Sequence, residues 1–248
     1  MNNVFRTDCG MYRDHNEDTG GTLTNPQQTL AVVADGMGGH KAGDVASDMA
    51  MAFIREQWEQ LDAPLEVSRA MQWMEETIKA ANRHLYDYAK TNSEYEGMGT
   101  TLVAALCSHD FVAVANVGDS RCYLFDTHQG IQQQTEDHSL VNELVKAGQL
   151  TKEAAEYHPR KHVLTRALGT DDDIDVDTFT FKWQDGGLVL LCSDGLSNKL
   201  TDHQLAQVLQ TEGTLEERAD RLVEEANQAG GEDNITLAIV EHPKGDAE

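Results

Sequence analysis

The sequence predicts an α+β fold. Two observations carry this expectation. Several short apolar runs are separated by gaps too brief for a helical crossover, and three longer stretches repeat their apolar residues at helical spacing. The runs are 30–34, 101–107, 111–117, 121–125, 188–192 and 235–240. The closely spaced ones between 101 and 125 read as antiparallel hairpins. Helical spacing links Ala46, Met49, Ala50, Phe53, Ile54 and Trp58, and then Met71, Met74, Ile78, Ala81, Leu85 and Tyr88. It returns at Leu215, Ala219, Leu222, Val223 and Ala226. Thr214 with Glu217 forms a capping box for that last helix, and Gly230-Gly231 stops it. Thr201 with Gln204 caps a shorter helix before it.

The 248 residues are 40% apolar and 25% charged, enough to bury a substantial core. With four prolines, no repeat and no low-complexity linker, one continuous domain over 1–248 is expected. Lys and Arg number 19 against 43 Asp and Glu, a net charge of −24. Such a balance argues against nucleic-acid binding, which needs a positive footprint. It fits either a solvated acidic surface or carboxylates that hold cations. No run approaches the ~20 apolar residues of a membrane span. The opening MNNVFRTDCG lacks a signal peptide's regions, so a cytoplasmic location is expected. Cys9, Cys107, Cys122 and Cys192 show no C-x-x-C spacing and read as free thiols, mostly buried.

Chemistry enters with the placement of four aspartates. Asp35, Asp119 and Asp194 follow apolar strands, and Asp233 precedes one. Any one of them alone reads as a plain turn former. Four carboxylates converging at strand ends would repel and raise one another's pKa, a penalty that divalent cations remove. Oxygen-only ligands favour Mg²⁺ or Mn²⁺. Asp35 is the candidate to bridge two ions, and Gly36 can offer a carbonyl because its backbone approaches closely. In the segment Arg13-Asp14-His15-Asn16-Glu17-Asp18, Arg13 can grip phosphate oxygens in a fork, while Glu17 and Asp18 can orient metal-bound water. Read alone, that segment is also an ordinary solvated loop.

Eight stretches, in order, resemble the type 2C metal-dependent serine/threonine protein phosphatases, the PPM family, in their compact bacterial form. They are Arg13-x-x-Asn16-Glu17-Asp18, VVADGMGGHKAGDVAS at 32–47, Met98-Gly99-Thr100-Thr101 and Gly118-Asp119-Ser120-Arg121. Asp137-His138-Ser139, HPRKHVLTRALG at 158–169, LCSDGL at 191–196 and Asp233-Asn234-Ile235-Thr236 complete the series. The resemblance implies a four-layer α-β-β-α sandwich with a metal centre at one edge. It implies that Asp35, Asp194 and Asp233 bind one Mn²⁺ or Mg²⁺ ion, that Asp35 and the Gly36 carbonyl bind a second, and that Glu17 and Asp18 support the latter through water. Asp119 with Asp194 matches a third, weaker ion, and Arg13 the phosphate-contacting arginine. Thr100 matches a supporting residue, although a strand-start threonine reads the same way. The implied reaction is direct attack on phosphoserine or phosphothreonine by a water shared between two ions, opposing a Ser/Thr kinase, in a monomer.

One position departs from many eukaryotic members, where a histidine follows the Asp-Gly pair; here it is Met37. His40 is a candidate acid and equally a solvated or capping residue. Residues 145–170 match the flap of bacterial relatives and carry Lys146, Lys152, Arg160, Lys161, His162 and Arg166. These cations can face a substrate protein or balance Glu153, Glu156 and Asp171 to Asp173. A nucleotide-binding reading lacks both G-x-x-x-x-G-K and G-x-G-x-x-G. A thiolate phosphatase lacks C-x₅-R. A catalytically dead binding module would not need the acidic positions that are all present here.

Overall fold

The computed structural model describes residues 1–38 and 42–243. Strands β1 (Asn2–Asp8), β2 (Asp18–Thr24) and β3 (Gln28–Met37) are followed by helices α1 (Ala42–Glu59) and α2 (Val67–Thr91). Next come β4 (Gly99–Thr100), β5 (Leu102–Ser108), β6 (Val112–Val117), β7 (Arg121–Asp126) and β8 (Gly130–Gln133). Short helices α3 (Leu140–Lys146) and α4 (Lys152–Glu156) precede β9 (Asp177–Phe181) and β10 (Leu188–Cys192). Helices α5 (Asp194–Ser197), α6 (Asp202–Leu209) and α7 (Leu215–Gln228) lead into β11 (Ile235–Glu241). No described helix is long and apolar enough to cross a membrane.

The strands form two antiparallel sheets. One runs β1-β11-β10-β7-β8, and the other runs β2-β3-β5-β6-β9 with β4 attached to β3. Side chains alternate across each strand, and here both faces are buried. On β3, Leu30 and Val32 pack with Ile54, Met74 and Ile78 of α1 and α2. Their neighbours Ala31 and Val33 pack with Val189, Leu191, Ala238 and Val240 of the other sheet. That sheet's opposite face sets Leu190, Leu237 and Ile239 against Leu205, Ala219 and Leu222 of α6 and α7. Three apolar layers between four structural layers give the α-β-β-α sandwich. This double burial explains why the central strands read as continuous apolar runs instead of an alternating pattern.

One expectation fails. β6 and β7 do not form a hairpin, because β6 pairs with β5 and β9 while β7 pairs with β10 and β8. The turn between them carries the chain from one sheet to the other. Gly118 makes the bend at φ +108°, where an added Cβ would lie 2.6 Å from the Thr101 Cβ. The crossing places Asp119 on the rim of the sandwich. Strands β1, β2 and β9 are also absent from the apolar pattern, since NNVFRTD, DTGGTLT and DTFTF are polar and only partly buried. The four cysteines are free; three are buried, and Cys9 is half-buried.

Both expected capping boxes form, Thr201 with Gln204 and Thr214 with Glu217. Thr214→Ala removes an N-cap acceptor from the helix that covers β11, and should cost about 1 kcal/mol. Urea unfolding should show a lower midpoint with an unchanged slope.

Candidate metal centre

The first pair of carboxylates is set by strand register. β3 continues past Ala34 to Met37, so Asp35 lies within the strand, directly opposite Asp18 of β2. Directly opposed residues on antiparallel strands share a face, with Cβ atoms about 5 Å apart. Asp35 follows Ala31 and Val33 on the face that looks toward the other sheet. Asp18 is buried, and its carboxylate accepts a 2.8 Å hydrogen bond from the Ser193 hydroxyl just beyond β10. That hydroxyl in turn accepts the Thr236 N–H of β11 at 3.0 Å. One short chain of hydrogen bonds thus joins the two sheets at this edge.

The second pair comes from loops pressed together. A Cβ at Gly195 would lie 1.9 Å from the Asn234 carbonyl oxygen and 3.5 Å from the Asp233 Cβ. Only glycine lets the turn carrying Asp194 rest on the turn carrying Asp233. Asp194 accepts from the Asn198 amide at 3.0 Å, and His162 Nδ1 lies 3.7 Å away. Asp119 is held by its turn: the Gly118 N–H donates to His138 Nδ1 at 3.0 Å, and Ser120 pairs with Thr101 at 2.7 Å.

The segment from 13 to 18 completes the rim. Arg13 reaches Asp233 at 2.8 Å and Glu17 at 3.8 Å, with its side chain still 45% exposed. The Glu17 N–H donates to the Asn234 side-chain oxygen at 2.8 Å, and the Asn234 amide donates to the carbonyls of Cys9 and His15 at 3.0 and 3.1 Å. Gly36 donates its N–H to the Glu17 carbonyl at 3.1 Å. Thr100 is fully buried and donates to the Asp35 carbonyl at 3.0 Å. Sequence reasoning missed Ser193, Asn198 and Asn234 as parts of the site. Ser193 and Asn234 each sit beside a flagged aspartate, but their residue types are ordinary in turns. His162, in sequence one of several cations between 145 and 170, stands beside Asp194. His40 lies outside the described residues.

Burial and mutual repulsion govern the charges. Asp35 is pushed well above the usual carboxylate range by burial, and then by Asp18, Asp194, Asp119 and Asp233. Burial, with Asp194 and Asp233 behind it, raises Asp18 to about 7 against the hydrogen bonds from Ser193 and Thr236. Burial and Asp194 raise Asp119 to about 7. Burial also raises Glu17. His162 is raised by its hydrogen bond to Asp194. Asp35, Asp18, Asp119, Asp194 and Asp233 are therefore one electrostatic group. Their oxygens are drawn to separate partners, Ser193, Asn198 and Arg13, and among the described residues no three of them converge within 4.8 Å. The donors are oxygen only, buried at Asp18 and half-buried elsewhere, and short of positive charge. That chemistry fits hard divalent cations.

The five aspartates and Glu17 lie within one stretch of sequence for which family likeness is also found. A family model described as protein phosphatase 2C matches residues 13–234. The chain is 47% identical over 242 residues to the serine/threonine phosphatase stp of Listeria monocytogenes, covering 97% of this chain and 96% of that protein. It superposes on the serine/threonine phosphatase Stp1 from Staphylococcus aureus with a TM-score of 0.92 and 41% identity, covering 98% of this chain and 95% of that one. The catalytic domain of the serine threonine protein phosphatase PstP, in complex with two manganese ions, gives a TM-score of 0.84 at 32% identity, covering 96% of both chains.

Without divalent cations the folded chain keeps protons on Asp18 and Asp119 up to about pH 7, whereas the unfolded chain releases them near 3.8. The stability this contributes is complete below the unfolded value and is lost as pH rises through about 7. Thermal melts in EDTA should therefore fall between about pH 4 and pH 7. Saturating Mn²⁺ should reduce or reverse that fall. A melting profile that is flat with pH in EDTA would contradict this account.

Proposed function

The chain belongs to the protein phosphatase 2C family, and we propose that it hydrolyses phosphoserine and phosphothreonine in cytoplasmic proteins at the carboxylate centre. The whole chain acts as one phosphatase domain, with a flap at about 145–170. Asp35, Asp194 and Asp233 hold one Mn²⁺ or Mg²⁺ ion. Asp35 and the Gly36 carbonyl hold a second, with Glu17 and Asp18 supporting it through water. Asp119 with Asp194 takes a third ion more weakly. When bound, such ions polarise the phosphoryl oxygens and lower the pKa of the water that attacks phosphorus directly. The observation that carries this reading is that Asp18 and Asp35 lie directly opposed, both raised by burial and by the aspartates around them.

The chain's residues supply placement and charge. Strand register fixes Asp35 against Asp18, so two ligand positions arrive with little side-chain freedom. Arg13 leaves Asp233 when a phosphoryl group offers oxygens in fork geometry, and grips them in the bound substrate as in the transition state. Met37, next to Gly36, has no proton to give the departing alkoxide. His162 beside Asp194 brings the flap to the rim of the centre. Tyr157 and Val163 of the flap are exposed, as are Met11 and Tyr12 beside Arg13. These placements support a flap that meets the substrate protein. Every group of the centre comes from one chain, so a monomer suffices. The substrates are phosphoproteins made by a Ser/Thr kinase, and the charge of −24 disfavours nucleic acid.

Hydrolysis of p-nitrophenyl phosphate and of a phosphothreonine peptide should require Mn²⁺ or Mg²⁺ and stop in EDTA; full activity in excess EDTA would overturn the proposal. Asp194→Ala and Asp233→Ala should each lower kcat/KM on the order of 100-fold or more, through lost metal-borne charge stabilisation. Arg13→Ala removes hydrogen bonds to a charged group worth about 1.5–3 kcal/mol, a loss of roughly 10–100-fold in kcat/KM that should appear chiefly as a higher KM.

A further inference from the structure

A second and chemically different group of ligating side chains sits at the other end of β11. Asp233 precedes that strand and His242 follows it, so at ~3.3 Å per residue they stand roughly 25–30 Å apart. Three segments meet there. The β5–β6 turn supplies His109, the β9–β10 loop supplies Asp185, and the end of β11 supplies His242. The backbone holds them in place. His242 N–H donates to the Gly187 carbonyl at 2.9 Å, and the Trp183 indole N–H donates to the Ser108 carbonyl at 2.8 Å. His242 is 2% exposed, with its ring centroid 4.9 Å from that of Trp183 and 4.8 Å from that of His109.

Hydrogen-bond chemistry at His242 is unbalanced. Nε2 lies 2.9 Å from the His109 carbonyl oxygen, which only accepts, so this nitrogen carries a hydrogen. Nδ1 faces the Pro243 carbonyl at 2.8 Å and the Asp185 carboxylate at 3.4 Å, which also only accept. A neutral imidazole would point its lone pair at oxygen lone pairs. A cation belongs at Nδ1, either a proton or a metal ion on the Asp185 side, where the 3.4 Å separation matches two ligands of one ion. The ligand atoms of His109, Asp185 and His242 all lie within 4.8 Å of one another. The side chains of His109 and Asp185 are 71% and 60% exposed, so both can close on an ion.

We propose that His109, Asp185 and His242 bind Zn²⁺ or a similar borderline divalent cation, clipping the β5–β6 turn and the β9–β10 loop to the end of β11. Two imidazole nitrogens and one carboxylate suit zinc, whereas the oxygen-only centre suits Mg²⁺ or Mn²⁺. Three protein ligands leave a fourth position to water. The Nε2–H bond to the His109 carbonyl fixes the tautomer that leaves Nδ1 to the ion, the usual support of a ligating histidine. The site does not depend on the phosphatase reading.

Metal-stripped protein in excess Mg²⁺, titrated with Zn²⁺ by calorimetry, tests the assignment. His109→Ala and Asp185→Asn alter exposed side chains and leave the core intact. Each should lose one zinc equivalent relative to the parent chain, together with the rise in Tm that zinc produces. Mn²⁺-dependent hydrolysis of p-nitrophenyl phosphate should stay at the parent level in both. Unchanged zinc stoichiometry and Tm shift in both variants would overturn the proposal. So would a loss of hydrolysis in step with the loss of zinc, because the zinc would then belong to the carboxylate centre.

Discussion

Like charges held together against their own repulsion are the constraint around which this molecule is arranged. Asp18 and Asp35 face each other because β2 and β3 pair in a register that their backbone hydrogen bonds fix. A slip of one residue would turn every side chain of β2 to the opposite face and take Asp18 away from Asp35. Asp194 and Asp233 are forced together by the contact of Gly195 with the Asn234 carbonyl. The cost is visible in carboxyls lifted far above their ordinary range. Two sheets packed face to face can bear that cost because their stability comes from three apolar layers elsewhere.

Much of this was legible in the sequence. The central strands announce themselves because both faces are apolar, and α1, α2 and α7 because one face is. Four of the five central aspartates stood out as turn-forming residues against apolar runs. The fifth, Asp18, was visible only as part of a charged loop, since DTGGTLT carries no apolar signal. What sets its position is pairing with a strand that begins ten residues later, and pairing leaves no trace in composition. The change of sheet at Gly118 was hidden for a similar reason. A short polar gap predicts a tight turn but not which sheet the next strand joins. Ser193 and Asn234 escaped notice because a hydrogen-bond hub and a common turn residue look alike until the fold brings their partners from more than a hundred residues away.

The two ends of the sandwich differ in chemistry although they are built from the same strands. At one end, oxygen donors crowd with a deficit of positive charge. At the other, Trp183 and His109 flank an imidazole whose two ring nitrogens face only acceptors. β11 is common to both and is buried along its length, so the ends are tied through a rigid element. The segment 145–170 adds a third environment, with exposed cations and Tyr157 in a strongly acidic protein.

The pairing of the first strand with the last has a consequence for how the protein comes into being. β1 lies against β11 from Asn2↔Glu241 to Asp8↔Ile235, and Arg13 rests on Asp233. While the chain is being synthesised, its opening strand has no neighbour in its own sheet until the closing one leaves the ribosome. The N-terminal segment cannot take up its place at the rim before then. β11 therefore has two tasks, closing one sheet and seating the N-terminal segment at the carboxylate rim.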